Sequence, residues 1–312
     1  MQNPNFIYLN LQTLTYSSGD YLKGEVYLKL VSETKSNTLI LKFTGFEIIN
    51  INSSSDQTSK TELVTNELTL HKWDTQAPSG DFIFPFEIYL SPNLPSSTLI
   101  KLNDLTAKIE YKLEVTMTEQ LTSSVIIYLK SYQESQSDIN ASNMQVKVKS
   151  CLCIRKLTID LKASVNKFSY ICNEVIKTSV EGFCSIMTRM HLAFCRYTLI
   201  TLPDGKTHMN KLILYEKDID ESFFDIELMN LKDILDEQYS SKGNNISCSY
   251  CISIKGLLNT ICHSKEPEVV IWVIINPMLK EHSMEQLYIQ WNPIYMKSSY
   301  YIDSGNPSEL SW

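Results

Sequence analysis

The chain has 312 residues, of which 43% are hydrophobic and 20% are charged. This length suits one large or two ordinary domains, and this composition excludes a chain that is disordered throughout. The formal net charge of -7 argues against non-specific binding to nucleic acid, which requires a basic face to replace counterions.

The amino-terminal residues carry no basic segment followed by an apolar core, so they predict no signal peptide. The longest apolar run, 269–275, is far too short to span a membrane. We therefore expect a cytoplasmic protein without a transmembrane segment, whose eight cysteines are reduced thiols.

The first strong pattern in the chain is a strand, a tight turn and a second strand over 14–30. Gly19 lies in the turn and Gly24 in the second strand, where the backbone needs either a positive φ or a close approach to another strand. The segment 170–176 repeats the pattern of 16–22, with Asn173 in place of Gly19, because asparagine also tolerates the left-handed region. Two such starts, one in each half, predict two domains built on one plan.

Alternation of apolar and polar side chains predicts strands along most of the chain, most clearly over 107–117. No run of twelve residues has convincing helical periodicity. The chain is therefore predicted to be all-β, with two tandem antiparallel β-sandwich domains of immunoglobulin-like type. The predicted strands cover 6–12, 14–16, 21–30, 39–51, 62–70, 82–88, 107–117, 125–129, 145–149, 157–161, 175–180, 188–200, 223–228, 246–256 and 267–276, with a polar loop at 52–60, a kink or bulge at Gly45, a hairpin turn at Asp204-Gly205 and a helical turn at 230–238.

The polar segment 131–143 has few large apolar residues and marks a domain boundary. We accordingly predict an amino-terminal sandwich over 1–143, a carboxy-terminal sandwich over 144–285 and a short tail over 286–312.

Five patterns follow one another in the first half. They are the turn and glycine of 16–26, the strand 39–49 with Phe43-Thr-Gly45-Phe-Glu47, the aromatic strand 82–86, the loop Leu94-Pro95-Ser96-Ser97, and Ile109-Glu-Tyr111-Lys-Leu113. Their order and spacing resemble the arrestin N-terminal domain. The second half resembles the arrestin C-terminal domain less closely, through 151–153, 170–176 and 246–254, so that the resemblance spans about 5–280.

The resemblance is strongest to the α-arrestin-like (arrestin domain-containing) group. It implies a non-enzymatic adaptor that binds cytoplasmic tails of membrane proteins and links them to trafficking, endocytic or ubiquitination machinery. It implies protein partners, no cofactor, and a cytoplasmic protein that associates with endosomes or the plasma membrane through its cargo. The alternative is a structural subunit of a retromer-like endosomal sorting complex that docks on a helical-solenoid partner.

The motif Asn292-Pro293-Ile294-Tyr295 fits the turn that phosphotyrosine-binding-type domains recognise. Asn292, Pro293 and Tyr295 are therefore candidate partner-binding residues. An ordinary turn with a packed tyrosine explains the same residues and is the commoner case for so short a motif.

A metal site at Cys248, Cys251, Cys262 and His263 is chemically conceivable, because thiolates and imidazole suit zinc. On a strand, however, Cys248 and Cys251 point to opposite faces, so buried thiols are the favoured interpretation, as they are for Cys151 and Cys153. The histidines are scattered and no nucleophile or phosphate-binding motif is present, so we predict neither a metal nor catalysis.

Overall fold

The structure is a computed structural model, and it describes residues 5–51, 57–118, 121–132, 140–149, 156–182, 187–219, 223–227, 238–258, 266–278, 294–296 and 301–302. In these ranges the chain forms strands joined by turns and bends, and none of the described residues is helical. The all-β prediction is therefore confirmed. It follows that the described ranges offer no helix long and apolar enough to cross a membrane.

Contacts divide the chain into two units. The first unit contains Met1–Ser131 together with Leu279–Trp312, and the second contains Tyr132–Met278. The strands of the first unit are β1 (Phe6–Leu11), β2 (Thr15–Ser17), β3 (Tyr21–Leu30), β4 (Thr38–Ile51), β5 (Gln57–Lys72), β6 (Gly80–Tyr89), β7 (Thr98–Lys101), β8 (Leu105–Thr118), β9 (Leu121–Lys130), β20 (Ile294–Tyr295) and β21 (Tyr301–Ile302).

The first unit has two sheets. One has the strand order β1-β3-β6-β20, with β21 also paired to β6, and the other has the order β2-β9-β8-β4-β5, with β7 paired to β8. Side chains alternate between buried and half-buried along the whole of β8, as its sequence predicts. The two sheets meet where the rings of His71 in β5 and Phe84 in β6 lie 5.6 Å apart. The alternating strands thus bury one face of each sheet against the other.

The second unit repeats this arrangement with different lengths. Its sheets have the orders β10-β11-β13-β16 and β12-β19-β18-β14-β15, with β17 paired to β18, and side chains from both sheets share one core. The strands are β10 (Asn140–Lys149), β11 (Lys156–Val165), β12 (Ser169–Ile171), β13 (Val175–Glu181), β14 (Met187–Thr201), β15 (Thr207–Ile219), β16 (Phe223–Glu227), β17 (Ser241–Lys242), β18 (Ile246–Leu258) and β19 (Glu268–Asn276).

Both units contain the same short strand followed by a turn. β2 pairs in parallel with β9, and β12 pairs in parallel with β19, whereas most other strand pairs are antiparallel. In the first turn the amide of Asp20 donates to the Ser17 carbonyl at 3.2 Å, and in the second the amide of Glu174 donates to the Ile171 carbonyl at 3.0 Å. The sequence repeat at 16–22 and 170–176 therefore corresponds to a structural repeat.

A buried tyrosine also occupies the same place in each unit. Tyr111 of β8 stacks on Phe43 with ring centroids 5.8 Å apart, and its hydroxyl donates to the Pro95 carbonyl at 2.7 Å. Tyr250 of β18 stacks on Phe194, again with centroids 5.8 Å apart, and its hydroxyl donates to the Gln238 carbonyl. Each hydroxyl therefore fixes a loop onto the sheet below it.

Several strand predictions differ from the structure. The strand β5 begins at Gln57, inside the segment predicted as a loop, and β10 begins at Asn140, before the predicted boundary. The strand β15 was not predicted, because most of its side chains are exposed on both faces and no period of two results. The bulge predicted at Gly45 is confirmed by a register shift between β4 and β5. The helical turn predicted at 230–238 lies outside the described residues apart from Gln238.

Candidate functional site

One face of the sheet formed by β1, β3, β6 and β20 points away from the core and is rich in tyrosine. Buried Ile7, Leu9 and Leu11 alternate with the outward residues of β1, which fixes the direction of this face. We call it the tyrosine face; its aromatic members are Phe6 and Tyr8 of β1, Tyr21 and Tyr27 of β3, Tyr89 of β6 and Tyr295 of β20.

A row of side chains crosses the middle of the tyrosine face. Tyr8 lies opposite Tyr27, Tyr27 opposite Ile83, and Ile83 opposite Tyr295. The rings of Tyr8 and Tyr27 are stacked with centroids 6.5 Å apart. Ile83 is only 4% exposed although it belongs to the outward face, so the neighbouring side chains cover it. The row therefore consists of three tyrosine rings and one buried aliphatic side chain.

The Tyr27 hydroxyl is held by two polar side chains. It donates to Glu25 Oε2 at 2.8 Å and accepts from Asn10 Nδ2 at 3.0 Å. Burial raises the pKa of Tyr27 to about 12, and the hydrogen bond to the Glu25 carboxylate and its charge raise it in the same direction. The hydroxyl thus stays protonated at neutral pH, and its position on the face is fixed.

A second aromatic pair lies at one end of the face, between charged side chains. The rings of Tyr21 and Tyr89 are 5.2 Å apart, and Lys23 Nζ lies 5.6 Å from the Tyr21 ring centroid. Lys23 also pairs with Glu87 at 2.6 Å across β3 and β6. The rim therefore carries both signs of charge around these two rings, and a polar rim is typical of protein interfaces.

Tyr295 belongs to this face. Its side chain is 69% exposed and that of Ile294 is 57% exposed, while the amide of Met296 donates to the Ile83 carbonyl at 2.9 Å. Asn292 and Pro293 lie outside the described residues, so a partner-binding role for the motif stays a prediction. Both residues of β20, Ile294 and Tyr295, are exposed rather than packed into a core.

Gly19 and Gly24 require glycine for different reasons, a positive φ at Gly19 and a close approach of neighbouring strands at Gly24. Gly19 has a φ of +91°, which favours glycine, and no atom comes closer than 3.8 Å to the place of a Cβ. Gly24 has no such φ, but a Cβ there would lie 2.5 Å from Leu11 Cδ2 and 2.8 Å from the Asn10 carbonyl oxygen. Asn173 occupies the exposed turn between β12 and β13.

The described cysteines do not converge on one point. Cys248 belongs to the core of the second unit, whereas Cys251 belongs to a separate cluster on the other face of the same sheet. This agrees with strand alternation and separates the two proposed ligands. Among the described residues no group of three or more metal-binding side chains occurs. Cys151, Cys153, Cys262 and His263 lie outside the described residues.

Sequence reasoning missed the tyrosine face as a whole. The signal was present in the aromatic residues at outward positions of 6–11, 21–30 and 80–89, which are Phe6, Tyr8, Tyr21, Tyr27 and Tyr89. The face is recognisable only once the pairing of the strands is known. Its members come from β1, β3, β6 and β20, and the last two of these are far from the others in the chain.

Comparison with known proteins agrees with this fold. Residues 6–125 match the family described as Arrestin (or S-antigen), N-terminal domain. This stretch contains β1 to β8 and part of β9, and includes every member of the tyrosine face except Tyr295. The match supports the arrestin family, and no curated protein matches the chain.

Proposed function

We propose that this protein is a non-enzymatic adaptor that binds segments of other proteins at the tyrosine face. The match of residues 6–125 to the arrestin N-terminal domain supports an adaptor or scaffold role in general. The single observation that carries the proposal further is the row of exposed and half-buried tyrosines on that same domain. Tyrosine combines a large ring with a hydroxyl group and is enriched where proteins bind one another.

The chemistry of the face suits an extended peptide with apolar side chains. The rings of Tyr8, Tyr21 and Tyr295 offer apolar area at a low cost in conformational entropy, and their hydroxyls can bond to a peptide backbone. The Lys23–Glu87 and Lys29–Asp81 pairs, at 2.6 and 3.7 Å, place both signs of charge beside the rings. The face therefore favours a peptide of mixed character over a strongly acidic or basic one.

We further propose that the bound segments are cytoplasmic tails of membrane proteins. In this proposal the protein is α-arrestin-like and links such tails to trafficking, endocytic or ubiquitination machinery, with a cytoplasmic location and an association with endosomes or the plasma membrane through the cargo. The resemblance of 16–26, 39–49 and 109–113 to arrestin patterns supports this finer assignment.

The segment 292–295 has a role of its own in the proposal. Tyr295 is 69% exposed, so a partner domain of the phosphotyrosine-binding type can reach its ring without unfolding of the first unit. Only two residues of β20 pair with β6, so little free energy is needed to displace this segment.

The test is quantitative affinity capture with the full chain, followed by mass spectrometry. Tyr21→Ala and Tyr295→Ala remove rings from the face. Tyr128→Ala is the matched control, because Tyr128 is 48% exposed and Tyr21 is 45% exposed, but Tyr128 lies on β9 in the other sheet. We expect both face variants to lose bound membrane-protein tails by roughly tenfold, the effect of about 1.4 kcal/mol at an interface.

Each outcome of the capture experiment bears on the proposal. Equal recovery of tails by all three variants and the unmodified chain would show that the face is not the binding surface. Capture of one stoichiometric helical-solenoid protein, unchanged in both face variants, would support a structural subunit of a sorting complex instead. Turnover of a small-molecule substrate by the purified chain would contradict a non-enzymatic role.

A further inference from the structure

Two cysteines of the second unit lie directly opposite each other on neighbouring strands. Cys195 of β14 pairs with Cys251 of β18, and both side chains are 0% exposed. Their neighbours along the strands, Phe194 and Ile252, point into the core between the two sheets. The cysteines point to the opposite face, where they cluster with Ala193 under partly buried Tyr197 and Val270.

The spacing of an antiparallel pair is close to the spacing that a disulfide needs. Directly opposite residues have Cα atoms about 4.5 or 5.5 Å apart, and disulfides accept about 4.4–6.8 Å. Their Cβ atoms are about 4.5–5.5 Å apart, whereas a disulfide holds them at about 3.5–4.5 Å. A disulfide between Cys195 and Cys251 therefore requires the two strands to approach by roughly 1 Å at this point.

The local backbone is suited to so small an adjustment. The register between β14 and β15 shifts by one residue between Phe194 and Cys195, because β15 carries the extra residue Leu214 on the side of β14 away from β18. A bulge disrupts the ladder locally, so β15 holds β14 less regularly at this point. The two thiols are already neighbours, because both side chains belong to the same small buried cluster.

The surroundings shift the pKa values of the two thiols in opposite directions. The hydrogen bond from Cys251 lowers the pKa of Cys195, and Lys211 and Lys255 lower it further, while burial and Glu268 oppose the shift. The same hydrogen bond, together with burial, raises the pKa of Cys251. Cys195 is thus the better nucleophile of the pair, and Cys251 keeps its proton until it reacts.

We propose that Cys195 and Cys251 are a redox-active pair that forms a reversible cross-strand disulfide when hydrogen peroxide or a related peroxide reaches it. The Cys195 thiolate attacks one peroxide oxygen, the O–O bond breaks, and the departing hydroxide takes up a proton to become water. The Cys251 sulfur then attacks the resulting sulfenic acid, the S–O bond breaks, and the Cys251 proton leaves with the hydroxide as a second water. Two thiols are oxidised and one peroxide is reduced.

The disulfide would act on a neighbouring aromatic pair, half-buried Tyr197 and exposed Trp272. Cys251 lies opposite Trp272 of β19, and Tyr197 is two residues from Cys195. The rings of Tyr197 and Trp272 are 5.3 Å apart, and Trp272 is 48% exposed. A change in the spacing of β14 and β18 moves this pair, so the oxidation state of the cysteines is coupled to a surface of the second unit.

The test is to oxidise the reduced full-length chain with hydrogen peroxide and to map its cysteines. After the reaction, free thiols are blocked with N-ethylmaleimide, the chain is digested without reductant, and cross-linked peptides are identified by mass spectrometry. We expect one linked peptide that joins Cys195 to Cys251, has lost two hydrogen atoms and is separated by dithiothreitol. Cys172 and Cys248, which are also buried, should carry the blocking group once the chain is denatured.

Substitutions test whether both cysteines are required. Cys195→Ser and Cys251→Ser should each abolish the linked peptide, whereas Cys172→Ser should leave it unchanged. Fluorescence of Trp272 should fall on oxidation and return with dithiothreitol, and Trp272→Phe should remove that response. The peptide map of the unmodified chain shows by itself whether the disulfide forms. The proposal therefore stays testable even if a variant fails to fold.

Two results would overturn it. The first is that both cysteines remain free thiols at a peroxide dose that converts Met209, which is 70% exposed, to its sulfoxide. The second is that Cys195 or Cys251 links to another cysteine or to a second chain instead of to its partner across the strands.

Discussion

Replacing Gly24 with valine should destabilise the first unit strongly, because the space that a side chain needs is already filled. Gly24 lies on β3 between Leu11 of β1 and Phe86 of β6, which are its partners in register. A Cβ atom would lie 2.5 Å from Leu11 Cδ2, 2.7 Å from Phe86 Cζ and 2.8 Å from the Asn10 carbonyl oxygen.

None of these three contacts can be relieved at low cost. Leu11 is 1% exposed and Phe86 is 4% exposed, so neither side chain can rotate into solvent. The Asn10 oxygen belongs to the backbone of a paired strand and moves only with that strand. Overpacking a core costs about 1–3 kcal/mol, and valine adds two methyl groups beyond the Cβ, so we expect about 3 kcal/mol. At about 2–4 °C per kcal/mol for a unit of this size, the melting temperature should fall by roughly 6–12 °C.

Hydrogen–deuterium exchange with mass spectrometry locates the effect, since peptides of β1, β3 and β6 should lose protection while those of β14 and β18 keep it. Gly19→Ala is the matched control in the same unit. Its φ of +91° is strained for alanine, but the nearest atom to the new Cβ is 3.8 Å away, so it should cost only about 1–2 kcal/mol. The close approach is not the reason for glycine at this position if Gly24→Val has the same melting temperature as the unmodified chain. The same conclusion follows if Gly24→Val lowers the free energy of unfolding by less than Gly19→Ala does.

Tyr111→Phe and Tyr250→Phe each leave a loop carbonyl without its hydroxyl donor, so each should lower the free energy of unfolding of its own unit by about 1–3 kcal/mol. Urea unfolding with exchange readout checks this, and a loss of protection in the other unit would contradict it. Burial lowers the pKa of His71, which packs against Trp73 at 4.5 Å, and Asp74 offsets this only in part. Below the ordinary histidine pKa of about 6.5, the unfolded chain therefore binds a proton that the folded unit does not. The free energy of unfolding should decrease as the pH is lowered from about 6.5 to the lowered pKa of folded His71. The urea midpoint, followed by Trp73 fluorescence, should drop more between pH about 7.5 and about 5.5 in the unmodified chain than in His71→Phe; equal drops would exclude His71 as the cause.

The sequence predicted correctly those features that depend only on residues adjacent in the chain, such as strand alternation and turns. The strand β8 has a strict alternation, and the structure buries every second side chain along it, because one face of the sheet meets the core. The turns at 16–22 and 170–176 were predictable for the same reason, since a turn depends on a few adjacent residues.

Pairing between distant strands was not predictable from such patterns. The parallel pairs β2–β9 and β12–β19 join residues more than a hundred positions apart, and no local signal specifies them. The tyrosine face has the same origin: Tyr8, Tyr27 and Tyr295 become neighbours through the register of three strand pairs. The domain boundaries at 143 and 285 stay predictions, as does the partner-binding role of Asn292 and Pro293.

The arrestin match ends at residue 125, and the second unit nevertheless repeats the plan of the first in contacts that alternation alone does not produce. In the first unit the Ser131 amide donates to Ser96 Oγ at 2.8 Å, one residue after the carbonyl that accepts from Tyr111. In the second unit the Ile275 amide donates to Ser240 Oγ at 2.9 Å, two residues after the carbonyl that accepts from Tyr250. Any amphipathic strand produces an apolar face, but only a shared connection of strands and loops brings a serine, a tyrosine and a strand end together in this way twice. The repeated polar contacts therefore support a common architecture for both units, including the part of the chain beyond the arrestin match.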